Sequence, residues 1–191
     1  MSTTQRNFPF TLFKNLGLAL LVILVAGCET KKSTATLTME EMALQKIDSL
    51  EKAATKDFTE SKGALDLGIH MEYAKALEDY AYNHLDSLAP RFLFKSARIS
   101  EEILKDKRRA ISLYGRVYNE FADFKDRPMM LFYQGSAYHD LNDTTEAVKV
   151  LQFFIQNYPG HPFVDDAEGL IKLMRMTDAE REKLFNGDIP S

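Results

Sequence analysis

Pro128–Gly160 reads PMMLFYQGSAYHDLNDTTEAVKVLQFFIQNYPG, and its punctuation decides the fold. Pro128 suits a helix first turn, where its missing N–H costs nothing. Apolar and small residues then recur at helical spacing through Leu131, Gly135 and Tyr138. Leu141-Asn142 breaks the run, and Asp143 with Glu146 has the form of a capping box for a second helix. Ala147, Leu151 and Phe154 give that helix its stripe, and Pro159-Gly160 ends it.

The stretch upstream repeats this pattern. Pro90–Ala97 (PRFLFKSA) aligns with Pro128–Gly135 (PMMLFYQG), Ala110 with Ala147, Tyr114 with Leu151, and Val117 with Phe154. This copy has an extra residue between Ala97 and Ala110 and carries Ala122 in place of proline, so the same pair with a changed turn is expected. A third unit opens near Pro162. Ala167 and Ala179 take its small positions, Thr177 with Glu180 caps its last helix, and Asn186-Gly187 stops it. Nearer the N-terminus, Thr38 with Glu41 caps a helix carrying Met39, Met42, Ile47, Leu50 and Ala54. The polar stretch Asp57–Gly63 interrupts it, and Ile69, Tyr73, Leu77, Tyr80, His84 and Leu88 stripe a second helix. Self-similarity of this kind marks stacked helix pairs.

The set Leu131, Gly135, Tyr138, Ala147, Leu151, Phe154 and Pro159 resembles the tetratricopeptide repeat (TPR). The resemblance implies an all-α fold, a right-handed superhelix of antiparallel TPR-like helix pairs, in which Ala97, Ala110, Gly135, Tyr138, Ala147 and Pro159 define the repeats. It also implies a binding groove lined by the first helix of each pair. Carried over by position, the groove residues are Arg91, Phe94, Arg98, Glu101 and Glu102, then Met129, Phe132, Ser136, His139 and Asp140, then Val164, Glu168, Ile171 and Lys172. Phe94 and Phe132 align with each other as two aromatic anchors. The phrase Phe154–Ala167 (FIQNYPGHPFVDDA) is similar to helix ends in cell-envelope TPR proteins, including those that accompany outer-membrane β-barrel assembly and the Tol–Pal system.

The N-terminus reads as an address. Arg6 and Lys14 flank an apolar run, Leu16–Gly27, that is short for a membrane span and leads into the polar stretch after Cys28. Val25-Ala26-Gly27-Cys28 resembles a bacterial lipobox, which implies lipidation of Cys28 and cleavage before it. The expected organisation is a lipoprotein signal peptide over 1–27, a lipid-anchored tether over 28–37, N-terminal TPR-like helices over 38–89, and repeats with capping helices over 90–187. The expected location is the outer membrane, facing the periplasm, with inner-membrane and cell-surface placements left open.

Composition removes other classes. The chain has 191 residues, one Cys and a formal charge of −4, which excludes a disulfide framework and disfavours nucleic acid as a partner. No nucleotide-binding or zinc signature occurs, so neither cofactor nor metal is expected. His161 with Asp165 and Asp166 is better read as a turn followed by a helix N-terminus. The adjacent acids Glu101-Glu102 and Asp165-Asp166 point apart on a helix and make poor acid–base dyads. The sequence thus predicts a non-enzymatic, lipid-anchored scaffold that binds envelope proteins or peptides in outer-membrane biogenesis. The alternative is a lipoprotein accessory that binds a small glycan or nutrient.

Overall fold

The computed structural model describes residues 37–186. The segment read as a signal peptide, Cys28 and nearly all of the stretch read as a tether lie outside the described residues, as does Gly187. The described residues form eight α-helices and no strand. They are α1 (Met39–Glu60), α2 (Leu67–Asn83), α3 (Ala89–Glu102), α4 (Lys107–Glu120), α5 (Arg127–Asp140), α6 (Thr144–Asn157), α7 (Val164–Arg175) and α8 (Asp178–Phe185). Each helix from α1 to α6 packs on the next, which is the nearest-neighbour stacking of a TPR-like superhelix.

The caps follow from the sequence. Thr38 with Glu41 and Thr177 with Glu180 form complete capping boxes. At α6 only half of the expected box forms. The Asp143 carboxylate accepts from the Glu146 amide, while the Glu146 carboxylate turns to Lys149. The Asp143 amide is already used by the Tyr138 carbonyl. Helix α1 runs through Asp57 to Glu60, so the break comes later than the polar stretch suggested. His84 lies just past the end of α2 and Leu88 at the start of α3, so the α2 stripe ends at Tyr80.

The extra residue of the first repeat sits in the α3–α4 turn. Leu104-Lys105-Asp106 and Leu141-Asn142-Asp143 turn alike: Lys105 and Asn142 are left-handed, with φ of 58° and 60°, and an Asp N-cap follows each. Ile103 is the addition, and it lengthens the closing hydrogen bond so that the Asp106 amide reaches back to Ser100.

Three apolar clusters run along the stack. The first joins α1 and α2 to Ile99 of α3 through Ile47, Ala54, Tyr73, Leu77 and Tyr80. The second joins α3, α4 and α5 through Leu93, Ala97, Ala110, Tyr114, Val117 and Met130. The third joins α5, α6 and α7 through Leu131, Leu151, Phe154, Ala167 and Ile171. Fully burying a side chain of this size is worth about 1.5–3 kcal/mol, so each cluster binds its helices strongly.

The third unit departs from expectation. The spacing that carries Gly135 to its successor lands on Gly169, not Ala167. Met130 and Tyr133 pack with α4, and the same spacing carries them to Val164 and Ala167, which pack with α6 in the third cluster. Ala167 is therefore an inter-pair contact, and Gly169 is the small position. A Cβ on Gly169 would meet nothing within 4 Å, because α8 does not close on α7. Ala179 is exposed, and no residue of α8 is buried. Helix α7, with Asp165, Glu168 and Lys172 outward, caps the stack, and α8 is an appendage.

Candidate functional site

The first helices of the pairs, α3 and α5, carry the residues expected to line a groove. Phe94 is half-buried, with its ring 5.6 Å from Tyr133 and 6.2 Å from Tyr114. Tyr114 and Tyr133 stack at 5.5 Å. The Arg98 guanidinium lies 4.7 Å from the Tyr133 ring centre. Arg98 also pairs with Glu102, and with Glu101 at 4.0 Å. Phe132 sits edge-on to Tyr133 at 6.0 Å and contacts Phe163 at 5.0 Å and Phe154 at 6.3 Å. Phe94, Arg98 and Phe132 are thus brought together, with Tyr133 as the piece between them.

Sequence reasoning missed Tyr133. It aligns with Lys95, and both positions face the second helix of the preceding pair: Lys95 Nζ lies 5.6 Å from the Tyr73 ring centre, as Tyr133 lies on Tyr114. The usable signal was the uninterrupted run Leu131-Phe132-Tyr133, which is wider than a single buried stripe needs.

The remaining predicted groove residues are dispersed. Arg91 lines a separate cleft of about 850 Å³ between the α2–α3 and α4–α5 connectors, with Leu85, Pro90, Phe121, Phe124 and Lys125. Met129 packs at the edge of the second cluster. Asp140 is tied to Lys107 of α4. Ser136 and His139 are half-buried on α5. Val164 and Ile171 pack into the third cluster. Glu168 and Lys172 edge a cleft of about 640 Å³ with Ile155, Ile171 and Met176.

The electrostatics of the aromatic face are fixed by burial. Burial pushes the Tyr114 hydroxyl well above its ordinary value, and its bond to the negative Glu101 adds to the shift. It therefore stays protonated at any physiological pH and donates to Glu101 Oε2 at 2.6 Å. A neutral phenol, one cation held over an aromatic ring and two carboxylates make a surface for packing and hydrogen bonding. Three of the histidines pack within the fold. His161 Nδ1 accepts the Phe163 amide at 3.2 Å, and the His161 ring lies against Phe154 and Phe163. His84 stacks on Tyr80 at 4.4 Å. His70, buried, meets Asp57 at 3.1 Å. Among the described residues no group of three His, Cys, Asp or Glu is placed to hold a metal ion.

Of the repeat-defining positions, Ala97, Ala110, Gly135 and Ala147 sit where helices pack. Ala97, Ala110 and Ala147 are fully buried. A Cβ on Gly135 would stand 2.6 Å from Leu151 Cγ, so the α5–α6 approach requires glycine there. Tyr138 is half-buried beside the α5–α6 turn, and Pro159 is exposed after α6.

Residues 130–161 match the family model for the tetratricopeptide repeat. The match covers most of α5, all of α6 and the turn after it, so the chain contains a TPR unit built on this pair. Units of this type serve as protein–protein interaction scaffolds. No curated protein matches the chain.

Proposed function

We propose that this protein is a lipid-anchored TPR scaffold that holds a protein or peptide partner against the face of α3 and α5 in cell-envelope biogenesis. The observation that carries the reading is the partly exposed aromatic run Phe94–Tyr133–Phe132, with Arg98 over its centre, on the first helices of the repeats. Rigid aromatic and arginine side chains are the residue types that dominate binding energy at protein interfaces. Support for the anchor is the lipobox-like Val25–Cys28 behind an apolar run. In this reading the protein works at the periplasmic face of the outer membrane.

The test is crosslinking of the tagged protein in intact cells, followed by mass spectrometry. Arg98→Ala is the variant of choice, because Arg98 is part-exposed and lies outside the apolar clusters, whereas Phe132 supports Phe154 and Phe163. Capture of one set of envelope proteins, lost in Arg98→Ala with the far-UV CD unchanged, is the expected result. Equal capture by Arg98→Ala refutes the groove. A mature N-terminus that mass spectrometry finds elsewhere than at Cys28, or at Cys28 without acyl groups, refutes the anchor.

A further inference from the structure

Among the described residues, most large apolar side chains left exposed lie early in the chain: Leu37, Met39, Met42, Phe58, Leu67, Met71, Tyr82 and Leu85, against Phe153, Leu184 and Phe185 later. Single exposed apolar residues are ordinary, but three of these surround one turn. Phe58 is in the last turn of α1, and Leu67 and Met71 are in the first turns of α2. Their exposures are 65%, 49% and 56%. The turn is rigidly held. Asp57 Oδ2 accepts from the Asp66 amide at 3.0 Å and contacts His70 Nε2 at 3.1 Å. Asp66 in turn caps α2 through the Gly68 amide at 2.9 Å. Asp57 and Asp66 are thereby held within the fold, Glu60 is paired with Lys56, and Lys62 is exposed, so the turn carries mixed charge.

We infer that the α1–α2 turn is a membrane contact: Phe58, Leu67 and Met71 enter the interfacial region of the bilayer that carries the anchor. This rests on the lipid-anchor reading of Cys28. Chain length permits it. Helix α1, with 22 residues, is about 33 Å long, and the stretch from Cys28 to Thr38 spans at most roughly 35 Å. The far end of α1 can therefore meet the same surface as the anchor. Apolar side chains that penetrate about 5–10 Å bind weakly by themselves, and an acyl anchor supplies the local concentration that makes weak contacts count. Such a contact would fix the orientation of the stack on the membrane.

The chain has no Trp, so single-Trp reporters are unambiguous. Phe58→Trp, Met71→Trp and the control Phe153→Trp are made in the full-length, lipidated protein and reconstituted in phosphatidylethanolamine–phosphatidylglycerol vesicles with brominated acyl chains. Flotation is read alongside emission. The expected result is that Phe58→Trp and Met71→Trp float, shift to the blue and lose about half their emission to interfacial quenching, while Phe153→Trp floats unquenched. Flotation with Phe58→Trp and Met71→Trp as bright as the control overturns the contact and leaves the anchor standing. Failure to float overturns the anchor and the contact together.

Discussion

Gly135→Ala tests the closest helix contact in the stack. In an open helical position, glycine to alanine stabilises by about 1 kcal/mol, because alanine loses less backbone entropy. Gly169 is such a position, with nothing within 4 Å of a built Cβ. At Gly135 the new methyl would stand 2.6 Å from Leu151 Cγ and 2.7 Å from Cδ2. Leu151 is fully buried, so it has no free rotamer to retreat to. Overpacking of this kind costs about 1–3 kcal/mol. Gly135→Ala is therefore expected to be less stable than Gly169→Ala by about that difference, whatever helix propensity gives both. Urea unfolding followed by far-UV CD reads the effect as a shift in midpoint at constant slope. A mutant cycle sharpens it. Leu151→Ala alone should cost about 2–5 kcal/mol, and less by about 1 kcal/mol or more in the Gly135→Ala background, since the truncation makes room for the methyl. If Gly135→Ala and Gly169→Ala stabilise equally, or the cycle shows no coupling, the close approach of α5 and α6 is refuted.

Other perturbations read other parts of the stack. Lys105 holds a left-handed conformation that glycine adopts without strain, so Lys105→Gly should raise stability by about 0.5–1 kcal/mol in the same unfolding assay. Glu78 accepts from Ser96 Oγ and from Arg109 Nε and Nη2, joining α2 to α3 and α4. Glu78→Ala should cost about 1–3 kcal/mol, and Arg109→Ala in that background should add little, which a double-mutant cycle would show. Burial acts to raise the Asp86 pKa, but the Tyr80 hydroxyl and the Leu88 and Ala89 amides outweigh it and hold Asp86 below the usual carboxylate range. A depressed folded pKa contributes stability above the unfolded value and loses it as pH falls through the folded one. Asp86→Asn should therefore flatten the fall in stability below about pH 4 relative to wild type, measured by thermal unfolding against pH. An unchanged acid slope would show that Asp86 gains nothing from its charge.

Much of the architecture was legible in the sequence because it is locally encoded. Thr38, Asp143 and Thr177 mark helix starts through bonds to amides within three residues of themselves. The spacing of Ala147, Leu151 and Phe154 fixes which side of α6 is buried, since a helix has one period. The small residues Gly135 and Ala147 announce the crossing: Ala147 is fully buried, and a Cβ on Gly135 would run into the Leu151 side chain. What the sequence could not assign was direction of packing between pairs. Ala167 and Gly169 are both small, and which one faces a neighbour depends on whether α8 closes on α7. Tyr133 looked like one more apolar residue until α4 supplied Tyr114 for it to stack on and α3 supplied Arg98 above it. Arg91 fits the same positional pattern as Phe94, yet the two connectors draw it into a different cleft. Glu78, Ser96 and Arg109 give no sequence signal as a set, because three helices bring them together and no local spacing relates them. The sequence by itself determined the helices, their caps and the TPR-like pairing. Only the tertiary structure decided where the stack ends and which side chains share a face, because those depend on contacts between residues that the chain places far apart.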